Sequence, residues 1–230
     1  MAAELVSQYG LGALTMQALA DGCDCAIGTA YTYFRSKDEL MEALEVNAVD
    51  TLRRSQLSGR ATVEAYLDEH ELDEATGALV RLLAFGGFMA AAAQSFPNEM
   101  VLLQVVMGAG LGGAAGGVQP AESGAAMVRS FLAEPVSLLE LAAGAGGLAT
   151  GDATERATVW LAALNGVLLT EALAGQDPLL FQPAHMARRL SSDLLVGWGS
   201  DPANLARAAN HTERLAALGP LAPAVDPVDI

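Results

Sequence analysis

The 230-residue sequence is poor in aromatic residues (5%), positive charge and cysteine. Its two cysteines, Cys23 and Cys25, are so close together that a disulfide between them would be strained, and two ligands cannot complete a four-ligand metal site. We interpret them as small residues at a turn and a core edge, with a redox-sensing pair as the alternative. We therefore expect no metal site and no cofactor.

Positive charge is also scarce, since twelve Lys and Arg face 27 Asp and Glu for a net charge of −15. This balance argues against broad, non-specific attraction to nucleic acid. The 52% hydrophobic content is ample for a buried core and excludes bulk disorder. The N-terminus lacks the basic-then-apolar layout of a signal peptide, so we expect a cytoplasmic protein.

Sequence motifs of enzymes are missing as well. The three histidines, His70, His185 and His211, are widely separated, and no G-x-S-x-G, H-E-x-x-H or P-loop is present. The apolar stretch from Met100 to Val118 approaches the length of a membrane span, but it is rich in glycine and has no aromatic or basic anchors. We therefore expect neither an enzyme nor a membrane protein, and we interpret this stretch as a buried helix that ends in a Gly-rich loop.

The most informative stretch runs from Leu14 to Leu44 and predicts three helices in about thirty residues. Thr15 caps a first helix over Met16–Ala20, and Asp21-Gly22 provides a left-handed stop. A second helix covers Ile27–Phe34. Ser36 and Glu39 have the spacing of a capping box, which begins a third helix at Lys37. Helix, turn, helix and capped long helix is the layout of a helix-turn-helix DNA reader.

Within this stretch the runs LTMQALA, IGTAYTYF and RSKDELMEAL resemble the DNA-binding domain of the TetR/AcrR family of transcription regulators. The resemblance rests on Thr15-Met16, Ala20, the Gly28-Thr29-x-Tyr31-x-Tyr33-Phe34 string and Ser36-Lys37-x-x-Leu40. It implies an all-α protein with a three-helix DNA-binding domain over residues 1–47, whose first helix is Ala2–Tyr9. An effector-binding and dimerisation domain would follow over residues 48–200, and a C-terminal helix with a mobile Pro-rich tail over residues 201–230.

The resemblance also implies which side chains contact DNA. The second helix would present a base-reading face without strong bidentate readers, and Gln17 would be the nearest amide. Phosphate contacts would come from positions that match the family's backbone contacts. The face comprises Ala26, Ile27, Gly28, Thr29 and Thr32, and the phosphate contacts are Thr15, Tyr31, Tyr33 and Lys37.

Three departures from the family pattern predict modest, salt-sensitive DNA affinity. Asp24 replaces a common Gly, and Ala26 replaces a common Ser or Thr cap. Residues 1–47 hold two basic and seven acidic side chains, a net charge of −5.

The rest of the chain predicts further helices. The third helix should continue to about Leu57, where Ser58-Gly59 ends it before an amphipathic stretch, Thr62–Glu74. Helices follow over 73–95, where Gly86-Gly87 marks a bend or a close approach, then 99–107, 122–141 with an interruption at Pro135, and 204–218.

Two predicted helices near 154–174 and 185–198 form the clearest pair outside the N-terminal domain. Asp152 caps the first, and Met186, Leu190, Leu194 and Trp198 form an apolar stripe on the second. The resemblance implies that these helices pair with those of a second copy, in a homodimer. An internal helical hairpin uses the same stripes and remains the alternative.

Apolar residues of the middle helices are candidates for an effector pocket, although each has plain core packing as its alternative. Asn165 would orient a small, largely apolar ligand. The other candidates are Phe85, Phe88, Met89, Phe96, Met100, Met107, Met127, Phe131 and Trp160. We therefore expect a ligand-responsive repressor that binds a palindromic double-stranded DNA operator as a homodimer. A small-molecule-binding protein of the same fold with weak or lost DNA binding is the alternative.

Overall fold

The computed structural model describes residues 13–111, 122–170, 177 and 181–226. All regular secondary structure in these ranges is helical, which confirms the all-α prediction. The predicted first helix, Ala2–Tyr9, lies outside the described residues. The described helices are α1 (Met16–Gly22), α2 (Ile27–Tyr33), α3 (Lys37–Glu69), α4 (Glu74–Ser95), α5 (Pro97–Leu111), α6 (Glu122–Gly144), α7 (Ala153–Leu168), α8 (Pro183–Gly197) and α9 (Pro202–Leu218).

The chain divides into two compact units. The first, which we call the head, comprises Met1–Arg54, Phe96–Val128 and Val225–Ile230. The second, the body, comprises Ser55–Ser95 and Arg129–Ala224. The boundaries expected after residues 47 and 200 stay a prediction.

The head has a small core built from one face of each of its short helices. Leu14, Ala30 and Leu40 are almost fully buried there, and Phe34 packs against them from the end of α2. The predicted core role of Phe34 fits this packing. The complete buried set is Leu14, Met16, Ala20, Ala30, Leu40, Leu44, Ala48 and Leu102.

The long helix α3 continues to Glu69, so the predicted stop at Ser58-Gly59 is wrong. Gly59 has a tertiary role instead, because a Cβ there would collide with the backbone carbonyl of Leu221. A glycine inside a helix costs about 1 kcal/mol relative to alanine. A glycine is required at position 59 because the backbone around Leu221 passes close to it.

The body core is centred on α4, which packs against α7, α8 and α9. The pair Gly86-Gly87 lies within a continuous helix, and a Cβ on Gly86 would lie 2.9 Å from Ser191 Oγ and 3.2 Å from a Trp160 ring carbon. Of the two expected roles, a bend or a close approach, these distances support the close approach. Among the described helices, α4 is also long and apolar enough for a membrane span, but 78% of its most hydropathic window is buried inside the protein.

Two further helix predictions need correction. The helix α6 includes Pro135, where the sequence predicted an interruption, so the loss of one backbone hydrogen bond does not end the helix there. Helix α5 begins at Pro97, a residue suited to a first helical position, and it includes residues 108–111, which were expected in a loop. The remaining expected loop residues, 112–117, and the predicted end of α7 at Ala174 lie outside the described residues.

Helix α8 buries a different strip from the one that its sequence suggests. The buried residues are Pro183, Ala187, Ser191 and Leu195, four positions at helical spacing. The stripe Met186, Leu190, Leu194 and Trp198 is only half-buried, on one side of that strip. Small side chains pack inward because Trp160 fills the space that they leave: its indole N–H donates to Ser191 Oγ at 3.0 Å.

The C-terminal segment after α9 packs against the body up to Pro223, where the sequence predicted a mobile tail. Ala222 is 1% exposed, and the fully buried Ser55 donates its hydroxyl hydrogen to the Pro223 carbonyl at 2.7 Å. Burial of Ala222 and this hydrogen bond hold the segment on α3.

Candidate nucleic-acid interface

The first element of the candidate interface is α1, which begins where the sequence predicted. The Thr15 hydroxyl accepts a hydrogen bond from the Ala18 backbone N–H at 3.0 Å, which confirms the predicted cap. Thr15 and Gln17 are exposed. The Gln17 amide donates to the Asp21 carboxylate at 2.6 Å, so a contact with a base would first have to release it.

The turn after α1 differs from its prediction. Gly22 belongs to α1 and Cys23 caps it, whereas Asp24 has the positive φ of 50°. The left-handed residue of the turn is therefore Asp24, which the sequence did not reveal. Gly is favoured at such a position, and Asp tolerates it better than most residues do. This backbone requirement explains why the resembled family commonly has Gly at that position.

Helix α2 presents almost all of its side chains to solvent. Among its described residues Ala30 is buried, while Ile27, Tyr31 and Tyr33 are 42%, 50% and 75% exposed. Space around Gly28 is open, since nothing lies within 4 Å of a Cβ added there. A helix of seven residues is too short to be stable alone, and with one buried side chain it leaves most of its surface accessible. The predicted base-reading residues Ala26, Ile27, Gly28, Thr29 and Thr32 are all exposed and lie on or next to this helix.

Neither end of α2 has a side chain that caps the helix through a hydrogen bond. The Ala26 methyl offers no acceptor at the N-cap, as expected, and Phe34 closes the other end in extended conformation. The Thr32 hydroxyl donates to the Gly28 carbonyl at 2.9 Å, so its hydrogen is already engaged within the helix. Its oxygen and methyl group still face outward.

The start of α3 carries a variant of the predicted capping box. The Ser36 hydroxyl accepts from the Glu39 N–H at 3.1 Å, but the Glu39 carboxylate accepts from the Arg35 N–H at 2.6 Å, one residue before the cap. Lys37, at the first position of α3, is half-buried. The cap fixes the direction of α3 relative to α2.

Charges on this surface oppose nucleic-acid binding more than they favour it. Asp21 and Asp24 are exposed, as are Asp38 and Glu39 in the first turn of α3. Further along α3, burial and then the neighbouring Glu42 raise the pKa of Glu45. The backbone N–H groups, hydroxyls and tyrosines of α1 and α2 would have to supply most contacts.

The predicted effector residues are divided between the two compact units. Phe85, Phe88, Met89 and Trp160 are buried in the body, and the rings of Phe85 and Trp160 lie 5.5 Å apart. Phe131 and Asn165 are half-buried in the body. Phe96 and Met100 are buried but belong to the head. The side chains of Met107 and Met127 lie outside the described part of the chain.

The body contains a small cavity and a larger cleft. The smaller, about 30 Å³, has room for about one water and is lined by Phe85, Phe88 and charged residues that include Arg60 and Glu134. The larger is a cleft of about 680 Å³ between α4, α8 and α9, and none of the predicted effector residues lines it. The sequence signals that could have found the cleft are the pairs Gly86-Gly87 and Arg188-Arg189.

The helices expected to form a dimer carry apolar side chains that the single chain leaves partly uncovered. On α7, Val159 is 46% exposed, and Ala163 and Val167 are half-buried. The half-buried α8 stripe adds Met186, Leu190, Leu194 and Trp198. Asp152 caps α7 through the Glu155 N–H at 2.9 Å, as predicted.

Within the described ranges, no group of three or more His, Cys, Asp or Glu is arranged to hold a metal ion. Cys23 is exposed and Cys25 half-buried, and both are free thiols.

Comparisons with known proteins bear on the N-terminal segment and on the fold. Residues 1–44 match the family model described as bacterial regulatory proteins, tetR family. No functionally curated protein matches the chain. A protein of unknown function from Rhodococcus sp. RHA1 has a similar structure, with a TM-score of 0.60 and 20% identity over 86% of this chain and 92% of its own. The TetR family transcriptional regulator PfmR from Thermus thermophilus gives a TM-score of 0.55 and 19% identity over 87% of this chain and 97% of its own.

Proposed function

We propose that this chain, whose residues 1–44 match the family model of bacterial regulatory proteins of the tetR family, is a cytoplasmic repressor that binds a palindromic operator as a homodimer. The observation that carries the proposal is the exposed surface of α2, a helix that buries Ala30 and turns its remaining side chains outward. Its exposed threonines and methyl groups suit phosphates and thymine methyl groups.

The proposed contacts divide by role. Thr15, Tyr31, Tyr33 and Lys37 position the DNA backbone. Gln17, Ala26, Ile27, Gly28, Thr29 and Thr32 face base edges. Because no arginine or asparagine belongs to this set, we expect much of the specificity to come from apolar contacts and DNA shape.

A threonine pair tests the interface with a matched control. Thr32 on α2 and Thr158 on α7 are both exposed, and each donates its hydroxyl hydrogen to the carbonyl four residues earlier. Selection of bound sequences from a random DNA pool supplies the target. Thr32→Ala should then weaken binding about tenfold, and Thr158→Ala should leave it unchanged. Equal affinities for the two variants would remove α2 from the interface.

Salt dependence separates operator binding from the alternative of a regulator fold that has lost DNA binding. An operator complex releases counterions from several phosphates, so its affinity should fall steeply between about 50 and 200 mM salt. Failure to shift any selected or upstream DNA at low salt would favour the alternative.

Dimerisation is proposed through α7 and α8, because both helices carry half-exposed apolar side chains. On α8 these side chains lie on successive turns and form a continuous stripe. Leu194→Glu places a charge in that stripe and should give monomers in analytical ultracentrifugation. Val196→Glu, at an exposed position on a different side of α8, is the control. A dimer that survives Leu194→Glu would favour the internal hairpin alternative.

The effector is proposed to be small and largely apolar and to act by favouring one of two conformations of the dimer. Of the expected set, Phe85 and Phe88 line the small cavity, while Met89 and Trp160 are packed core. Phe96, Met100, Phe131 and Asn165 remain candidates.

A further inference from the structure

The large cleft of the body is the strongest unassigned feature of the described structure. It is formed by α4, α8, α9 and residues 219–221, and its lining residues all belong to the body. Its volume of about 680 Å³ lies within the range of small-molecule sites.

The floor of the cleft is apolar and made of the smallest side chains. Gly86, Gly87, Ala90 and Ala91 line it from α4. Side chains this small keep the floor close to the α4 backbone, and Gly86 also admits the close approach of Ser191 from α8. A Cβ on Gly87 would lie 2.5 Å from Leu221 Cδ1, so Leu221 closes one end of the floor.

The α8 wall of the cleft is basic, in a chain whose net charge is −15. His185, Arg188 and Arg189 line it. Arg189 pairs with Asp193 at 2.9 Å, whereas Arg188 is exposed and has no hydrogen-bond or ion-pair partner among the described residues. Glu213 is the carboxylate on the opposite α9 wall, so an anion would be attracted to α8 and repelled from α9.

The cleft does not compete with the proposed dimer surface. On α8 the buried strip of Ala187, Ser191 and Leu195 separates the two sides of the helix. At 100° per residue, Arg188 and Ser192 lie on one side of this strip, and Met186 and Leu190 lie on the other. A second copy seated on the apolar stripe therefore leaves the cleft open.

We propose that this cleft binds a carboxylate with an unbranched apolar chain. The chain lies over the glycine and alanine floor, and the carboxylate pairs with Arg188. This inference rests on the effector part of the proposed function, but it places the effector in a cleft that none of the predicted effector residues lines. The binding itself requires no DNA.

Leu221 links such a ligand to α3. It lines both the cleft and the small cavity, and its carbonyl lies against Gly59. A chain that reaches the end of the floor presses on Leu221 and hence on its contact with α3. We expect longer chains to affect DNA binding more strongly than shorter ones of equal affinity.

Calorimetric titration of the full chain with dodecanoate, below its micelle concentration, tests the site. Dodecanoate should bind once per chain, and Arg188→Gln should weaken it about tenfold, because one charge-assisted contact is lost. Arg214→Gln, at an exposed arginine of α9 outside the cleft, should not change the affinity. Dodecanol should bind more weakly than dodecanoate and equally to the wild type and Arg188→Gln.

Substitutions that fill the cleft provide a second test of the site. Ala91→Phe should abolish binding without changing the circular dichroism spectrum. Ala216→Phe, at an exposed lining position of α9, serves the same purpose if the first variant fails to fold. Absence of dodecanoate binding, or binding that neither filling variant nor Arg188→Gln affects, would overturn the proposal. A protein that binds dodecanoate but no DNA would instead overturn the proposed function and leave this site standing.

Discussion

Helices α2 and α4 use their side chains in opposite ways. In α2, Ala30 is the one buried residue among seven, whereas α4 buries fourteen of its twenty-two residues. The sequence of α2 is therefore constrained by what it presents outward, and that of α4 by what it packs against. The same contrast separates the two proposals, because the proposed DNA interface is the exposed surface of α2 and the cleft is a space between packed helices.

The two helices also differ in what holds them. Burial of large apolar side chains such as Leu79 and Phe88 stabilises α4 directly. Helix α2 is too short to be stable alone and depends on Ala30, the flanking Phe34 and the caps of its neighbours. Substitutions on α4 should thus change stability, and substitutions on α2 should change affinity.

The largest effect is expected at Trp160, the fully buried side chain that packs against Phe85 of α4. Trp160→Ala should lower the free energy of unfolding by about 3–5 kcal/mol, since it leaves a cavity and removes the partner of Ser191. Leu57→Ala, at an exposed position of α3, should stay within about 0.5 kcal/mol. Urea denaturation measures both, and similar losses would contradict the assignment of Trp160 to the core.

Caps in the head should have intermediate effects. Thr15→Ala removes the acceptor for the Ala18 N–H and should cost about 1 kcal/mol. Ala26→Ser supplies an acceptor at a backbone conformation suited to a cap and should stabilise the protein by about 0.5–1 kcal/mol. Thermal unfolding compares the two. A gain at Ala26 would show that α2 is marginally held, whereas no gain would mean that its neighbours already fix it.

Low pH should reduce the stability of the body through the cluster of Tyr66, His70 and His211. The Tyr66 hydroxyl lies 2.8 Å from His211 Nδ1, and His70 stacks on Tyr66 at 4.0 Å. Burial, with repulsion from Arg214 and His70, lowers the pKa of His211. The unfolded chain then binds this proton more readily, so the contribution to stability is full above the ordinary histidine pKa and is lost as pH falls through the lowered pKa.

The free energy of unfolding should therefore fall as the pH drops below the ordinary histidine pKa of about 6.5. His211→Gln should reduce that slope, while His185→Gln, at an exposed position, should not. Identical slopes for the two variants would place the pH dependence elsewhere.

Features that depend on a few neighbouring residues could be predicted from the sequence. The caps Thr15, Ser36 and Asp152 are local, since each accepts from an N–H three residues later. The helix-turn-helix strings are local too. Periodicity accordingly predicted most of the described helices, but it divided α3 at Ser58-Gly59 and placed several helix ends wrongly.

Features that depend on distant partners could not be predicted. Gly59 resembles a helix stop until Leu221 is known to lie against it, 162 positions later. On α8, both the large apolar stripe and the small buried strip fit a helical period, and the position of Trp160 decides between them. The cleft brings together segments around residues 86, 188 and 213, so no single stretch of sequence announces it.

The smallest effect on stability, and an informative one on affinity, is expected at Asp24. It combines a left-handed backbone with a negative charge at the proposed interface. Asp24→Gly relieves the strain of the left-handed backbone but gives the unfolded chain more conformational freedom. Asp24→Asn retains a residue that tolerates this conformation. The free energy of unfolding of both variants should therefore stay within about 0.5 kcal/mol of wild type.

Affinity for the selected DNA separates the two roles of Asp24. If charge repulsion limits binding, Asp24→Asn and Asp24→Gly should both tighten it, roughly two- to fivefold at low salt, with the gain shrinking as salt screens the charge. A gain confined to Asp24→Gly would assign the weakness to backbone geometry in the turn. No gain from either variant would place Asp24 away from the phosphates and would shift the proposed interface toward Tyr33 and Lys37 at the other end of α2.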